Sequence, residues 1–268
     1  MRTHSSTDAR RRQTGRRHPL ASIALIAIGL LSTGGAYALL TTTASAETTT
    51  ASQDSISQGQ KIFAANCATC HGMTASGTKD GPSLYGVGAA SVDFQMGTGR
   101  MPLAYSGPQG VQRALQFTQT QIDDVAAYVA SLAPGPGIPD QKYLNGDANV
   151  ALGGELFRIN CAMCHNVAGA GGALTEGKFA PSLKGVEARH VYEAMVTGPQ
   201  NMPVFNDTNL TPQDKADIIS FLKFQDQHAS PGGVDLGSLG PVSEGLFIWI
   251  FGLGAIVGVT IWITARPN

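Results

Sequence analysis

The sequence predicts an all-α protein: two tandem copies of one small helical unit, with an apolar helix before them and a transmembrane helix after them. Three observations predict this. A pattern of about eighty residues occurs twice, and a period of that kind fixes architecture before any other signal. Each copy closes on apolar residues at helical spacing behind an N-cap signal. Apolar stretches without charged residues stand near both ends of the chain.

The N-terminal segment 1–18 carries Arg10, Arg11, Arg12, Arg16 and Arg17 and is expected to stay cytoplasmic. An apolar stretch follows, expected as a signal or transmembrane helix over 19–41. It exports what comes after it. It is either a signal peptide cut after Ala44-Ser45-Ala46 or a retained anchor. Its length is large for a signal core and favours retention. The arginine pairs fit a twin-arginine signal poorly. Residues 42–56, rich in Thr, Ser and Ala, read as a linker.

The first unit is expected over 57–136 and the second over 153–228, joined by a linker at 137–152. Ile62-Phe63-Ala64-Ala65-Asn66 is matched by Leu156-Phe157-Arg158-Ile159-Asn160, with Gly59 and Gly153 three residues earlier in each copy. Pro82-Ser83-Leu84 is matched by Pro181-Ser182-Leu183, and Thr98-Gly99-Arg100-Met101-Pro102 by Thr197-Gly198-Pro199-Gln200-Asn201-Met202-Pro203. The final helix of each unit begins behind Thr118 or Thr211. Gln121 and Asp214 lie three residues on, as in a capping box. Each unit therefore runs helix, short motif, irregular loop, short helix, Met-containing loop, helix. Phe63, Phe157, Tyr128 and Phe221 are expected in the cores.

Between the first helix and the loop of each unit stand Cys67-Ala68-Thr69-Cys70-His71 and Cys161-Ala162-Met163-Cys164-His165, which contain all four cysteines of the chain. Cys-x-x-Cys-His is the attachment signal for c-type haem. The sulfurs form thioethers with the porphyrin vinyl groups, and the adjacent histidine reaches the iron. A single zinc site made from both pairs would not need a histidine behind each. A thioredoxin-like redox site would need a βαβ setting that neither motif has. The prediction is two covalently bound haems c, held by Cys67 and Cys70 and by Cys161 and Cys164, with His71 and His165 on the irons. Such a unit resembles the small all-α class I cytochrome c fold, present twice. A covalent haem would staple a domain too small to bury a large core.

The sixth iron ligand comes from a short candidate set. Met73 and Met163 lie beside or within the attachment motifs and cannot easily reach the opposite haem face. Met96 and Met195 fall in the apolar pattern of the short helix, where methionine usually packs. Met101 and Met202 match across the repeat and precede proline in a loop, which biases them to extended backbone. They are the expected ligands. His190 and His228 have no counterpart in the first unit and read as surface or helix-end histidines.

A Gly- and Pro-rich linker is expected over 229–244, then a transmembrane helix over 245–264 and a cytoplasmic tail at 265–268. Gly245 to Thr264 holds no charged residue and has the length of a bilayer core. Trp249 and Trp262 lie toward its two ends, and Arg266 marks the cytoplasmic side. The haem units then face the outside of the cell membrane. Of the 18 Lys and Arg and 19 Asp and Glu in the chain, 11 and 18 fall between Glu47 and Glu244, leaving that stretch near −7. A charge of that sign argues against nucleic acid as a partner.

Two such units followed by a C-terminal anchor resemble the dihaem cytochrome c subunit of the actinobacterial cytochrome bc complex, a quinol–cytochrome c reductase. The resemblance covers nearly the whole chain. It rests on both Cys-x-x-Cys-His motifs, on 197–203, on Gly153-Gly154-Glu155-Leu156-Phe157-Arg158, and on the tail Pro241-Val242-Ser243-Glu244-Gly245. It implies a subunit that takes electrons from a Rieske iron–sulfur protein beside a cytochrome b subunit. It passes them through two haems to cytochrome c oxidase, with no substrate-converting site of its own. A free-standing membrane-anchored carrier is the alternative. A dihaem enzyme would need an exchangeable iron site, and both units supply a methionine.

Overall fold

The computed structural model describes residues 19–41, 52–228 and 241–265. The basic segment 1–18, the Ala44–Ala46 signal, residues 229–240 of the third linker and the end of the tail lie outside them. The described part is mostly helical. Helix α1, Pro19–Thr41, belongs to a unit of its own, Met1–Thr50, and its described apolar side chains are exposed.

The first repeat contains α2 (Gln53–Asn66), α3 (Ala68–His71), α4 (Gly88–Gly97) and α5 (Gln119–Leu132). Ser52 caps α2 through a bond from the Ser55 amide, so this helix starts before residue 57 and takes in the end of the stretch read as linker. Thr118 and Gln121 form the expected capping box at α5. Helices α2 and α5 cross at Gly59, where a Cβ would lie 1.9 Å from the Asp124 carbonyl oxygen. Only glycine allows that approach. The contact brings Phe63 and Tyr128 together, with ring centroids 5.3 Å apart.

The second repeat follows the same plan with α6 (Val150–Asn160), α7 (Ala162–His165), α8 (Ala188–Thr197) and α9 (Pro212–Gln227). Its crossing glycine is Gly153, with a Cβ position 1.9 Å from the Asp217 carbonyl oxygen. Phe157 and Phe221 pair at 5.5 Å, and Thr211 with Asp214 completes the second capping box. A two-stranded antiparallel ribbon, β1 (Gly172–Ala173) with β2 (Phe179–Ala180), is an addition to the all-α expectation.

Residues 137–152 are not a free spacer. Tyr143 stacks on Tyr192, Leu144 is buried in the second core, and the Lys223 ammonium donates to the Leu144 and Asn145 carbonyls. The Ala148 and Asn149 amides donate to Ser220 and Asp217. These residues are docked because α9 offers acceptors for an otherwise unpaired backbone.

The two repeats meet where α4 packs on α8. Arg189 places Nε 2.9 Å from Asp93 Oδ2 and 3.3 Å from Glu193 Oε1. Two glutamines add reciprocal links. Gln109 bonds both the amide and carbonyl of Phe179, and Gln200 bonds both the amide and carbonyl of Gly110. After the gap, α10 (Pro241–Phe247), a π-helical turn (Ile248–Leu253) and α11 (Gly254–Thr264) form one helical run. Ser243–Thr264 is long and apolar enough to cross a membrane, and none of it is buried in the protein.

Candidate functional site

Each Cys-x-x-Cys-His motif is folded as one helical turn behind the first helix of its repeat. Cys67 ends α2 with φ −117° and ψ −29°; Cys161 ends α6 with φ −118° and ψ −35°. The amide of the first cysteine donates to the Phe63 or Phe157 carbonyl at 2.8 Å. The histidine amide donates to the first cysteine's carbonyl at 2.9 Å in both repeats. A helical turn puts the two sulfurs and the imidazole on one side of the chain.

The histidines are oriented by the Pro-Ser-Leu segments. His71 Nδ1 donates to the Pro82 carbonyl at 2.8 Å, and His165 Nδ1 to the Pro181 carbonyl at 2.9 Å. That bond fixes the tautomer and leaves Nε2 as the lone-pair nitrogen, the arrangement usual for a metal-bound imidazole. Among the described residues, Nε2 has no protein partner in either ring. His165 is buried, and burial holds it below the usual imidazole range, so it is neutral. No disulfide joins any of the four cysteines. Burial pushes Cys67 and Cys161 up to about 11. Among the described residues the two cysteine pairs are not gathered into one cluster of metal-ligating atoms, which removes a shared zinc site. Cysteines in pairs, an oriented imidazole and an apolar flank fit a covalently attached haem in each repeat.

The methionines separate by burial. Met96 and Met195 are 5% and 2% exposed inside the helix packing. Met73 and Met163 are 70% and 90% exposed. Met101 and Met202 are intermediate, each packed at the edge of the core cluster that also contains Cys67 or Cys161. Their backbones are pinned. The Met101 amide donates to the Gln95 carbonyl at 3.0 Å, and the Met202 amide to the Pro199 carbonyl at 3.1 Å. Downstream of Met202, the fully buried Lys215 donates to Asp207 and to the Leu210 carbonyl, holding the loop to α9.

His228 is exposed at the end of α9, stacked on Phe224. His190 is not a surface residue: its side chain is 13% exposed in the α4–α8 seam, edge-on to Phe94. Sequence reasoning also missed Asp93, Arg189 and Glu193. Their only sequence signal is a polar residue interrupting an apolar helix face.

Comparison with known proteins finds a cytochrome family match in each repeat. Residues 56–133 match the family described as Cytochrome c, and residues 148–222 the family described as Cytochrome C oxidase, cbb3-type, subunit III. The chain is 42% identical to the cytochrome bc1 complex cytochrome c subunit of Corynebacterium efficiens, over 93% of this chain and 90% of that one. It is 40% identical to the protein of the same description in Mycobacterium tuberculosis, over 99% of this chain and 97% of that one. A cbb3-type cytochrome c oxidase subunit of Azorhizobium caulinodans is 33% identical over 42% of this chain and 39% of its own length.

Proposed function

Because the chain belongs to the family of cytochrome bc1 complex cytochrome c subunits, we propose that it is the dihaem electron-relay subunit of a respiratory quinol–cytochrome c reductase. It works beside cytochrome b, accepting electrons from the Rieske iron–sulfur protein and delivering them to cytochrome c oxidase. The observation that carries this reading is the repeated helical turn with its histidine locked by a proline carbonyl.

Cys67 and Cys70 would hold one haem c through thioethers, with His71 and Met101 to bind its iron. Cys161 and Cys164 would hold the other, with His165 and Met202 to bind its iron. When bound, haem c supplies a one-electron iron couple. The chain's own residues would set its properties: a thioether ligand raises the potential. Both repeats adopt the class I arrangement in tandem. The reaction at this subunit is outer-sphere electron transfer, and quinol chemistry belongs to a neighbouring subunit.

Ser243–Thr264 anchors the protein with its C-terminus in the cytoplasm, and the repeats lie outside the membrane. Helix α1 is either a signal helix or a second, retained anchor, and its length favours retention. Mild-detergent purification of the tagged protein from its native membrane tests the assignment. Recovery of b-type haem, a Rieske protein and oxidase subunits is expected. Recovery of the cytochrome alone, with those complexes intact elsewhere, refutes it in favour of an independent carrier.

A further inference from the structure

We propose that Asp93, His190 and Glu193 form a binding site for a divalent transition metal ion, zinc in type, at the seam between the two repeats. Asp93 comes from α4 and the other two from α8. One ligand atom from each lies within 4.8 Å of the others, and His190 Nε2 is 3.9 Å from Asp93 Oδ2. A tetrahedral site with bonds of roughly 2.0–2.1 Å needs its donors roughly 3.4 Å apart. The carboxylates reach that spacing by rotamer adjustment.

The second observation is an orphan. Glu193 is 0% exposed, and among the described residues no donor reaches its Oε2, although its carboxyl group faces that of Asp93. Leaving a buried carboxyl oxygen unpaired is costly, and a metal would satisfy it. The surroundings are built for ligation. Gln119 Nε2 donates to Asp93 Oδ1 at 2.9 Å, which turns Oδ2 into the seam. Glu187 lies 3.8 Å from His190 Nδ1 and can hold the far side of the ring. One imidazole and two carboxylates suit zinc better than calcium or magnesium, which take oxygen ligands in larger number. Three protein ligands leave a fourth position for water.

Arg189 is the competing cation, close to both Asp93 and Glu193. It is 26% exposed, and its Nη2 already stands 3.9 Å from Asp123 Oδ1 at the solvent edge, so it can swing out as a metal enters. Without metal, the charges facing Glu193 are those of Asp93 and Arg189.

Glu193→Gln keeps the size of the side chain but cannot supply the negative ligand. The haem-loaded full chain in detergent is stripped with EDTA and titrated with zinc at fixed pH. Bound metal is counted per chain and unfolding is followed by circular dichroism. The wild type is expected to hold one zinc per chain and gain thermal stability with it. E193Q should stay folded without zinc, bind none at the seam and gain no thermal stability from it. R189Q should bind zinc at least tenfold more tightly than wild type. Absence of zinc from the wild type, or equal binding by wild type and E193Q, overturns the proposal. So does weaker binding by a folded R189Q.

Discussion

Replacing Gly153 by alanine sets two effects of opposite sign against each other. Gly153 lies inside α6, where alanine is favoured over glycine by about 1 kcal/mol. Propensity alone predicts a stabilised variant. The crossing with α9 predicts the reverse, because the new methyl carbon would sit 1.9 Å from the Asp217 carbonyl oxygen and 2.3 Å from its carbon. Reaching even 3.0 Å requires a shift of roughly 1.1 Å. The obstructing atoms are helical backbone, so two helices must move apart and loosen the Phe157–Phe221 pair. Overpacking in a close-packed interior costs about 1–3 kcal/mol, and a backbone obstacle places this case near 3. The net loss is about 2 kcal/mol, which lowers the melting temperature of a domain this size by about 8–16 °C. Circular dichroism melts of the haem-loaded protein read it directly. Gly154→Ala is the control, since its new methyl would meet only the Phe221 ring at 3.0–3.1 Å and the Arg158 side chain. Its loss should stay below about 1 kcal/mol, because side chains can yield. A G153A protein that melts at or above the wild-type temperature refutes the reasoning.

Three further outcomes follow from the site and the seam. Met202→His should remove the near-infrared sulfur–iron band of the second haem and lower its potential, within the roughly 0.8 V that axial ligands command; an undiminished band would instead implicate Met195. Glu193 binds its proton more tightly in the folded protein than in the unfolded chain, where it titrates near 4.5. Stability therefore falls as pH rises from about 4.5 toward 10, and E193Q in EDTA should show a flatter denaturation profile between pH 5 and 9. Equal slopes for the two proteins would contradict a protonated Glu193. Removing both Gln109 and Gln200 deletes four hydrogen bonds between the repeats. At about 0.5–1.5 kcal/mol each, their loss should speed proteolysis between Ala133 and Asn149, as read by gel time course. Unchanged cleavage would mean that the α4–α8 contact suffices.

What could be read from the sequence was local. Thr118 with Gln121 and Thr211 with Asp214 announce their helices because a cap acts over three residues. The Cys-x-x-Cys-His turns are likewise self-contained, and the proline carbonyls that orient His71 and His165 lie in segments the repeat had already marked. Gly59 and Gly153 were visible as matched glycines. Their reason was not, because it lies in the Asp124 and Asp217 carbonyls on the opposite helix. The seam was the least legible feature. Asp93 and Arg189 are far apart in sequence, and helical periodicity identifies a buried face without naming what covers it. His190 was misread for that reason. The β1–β2 ribbon escaped notice because strands of two residues leave no alternation to detect.

The docking of α4 on α8, reinforced by the two glutamines, also decides how the transfer step scales. Two separate carriers meet at a rate set by concentration and by charge steering, which salt screens within about a Debye length. Two repeats held on one chain have no encounter to wait for. Their effective molarity is fixed by the fold rather than by the number of copies in the membrane. On the proposed function, the step between the haems is first order, indifferent to dilution and little affected by ionic strength. Only entry from the donor and exit to the oxidase retain a dependence on either.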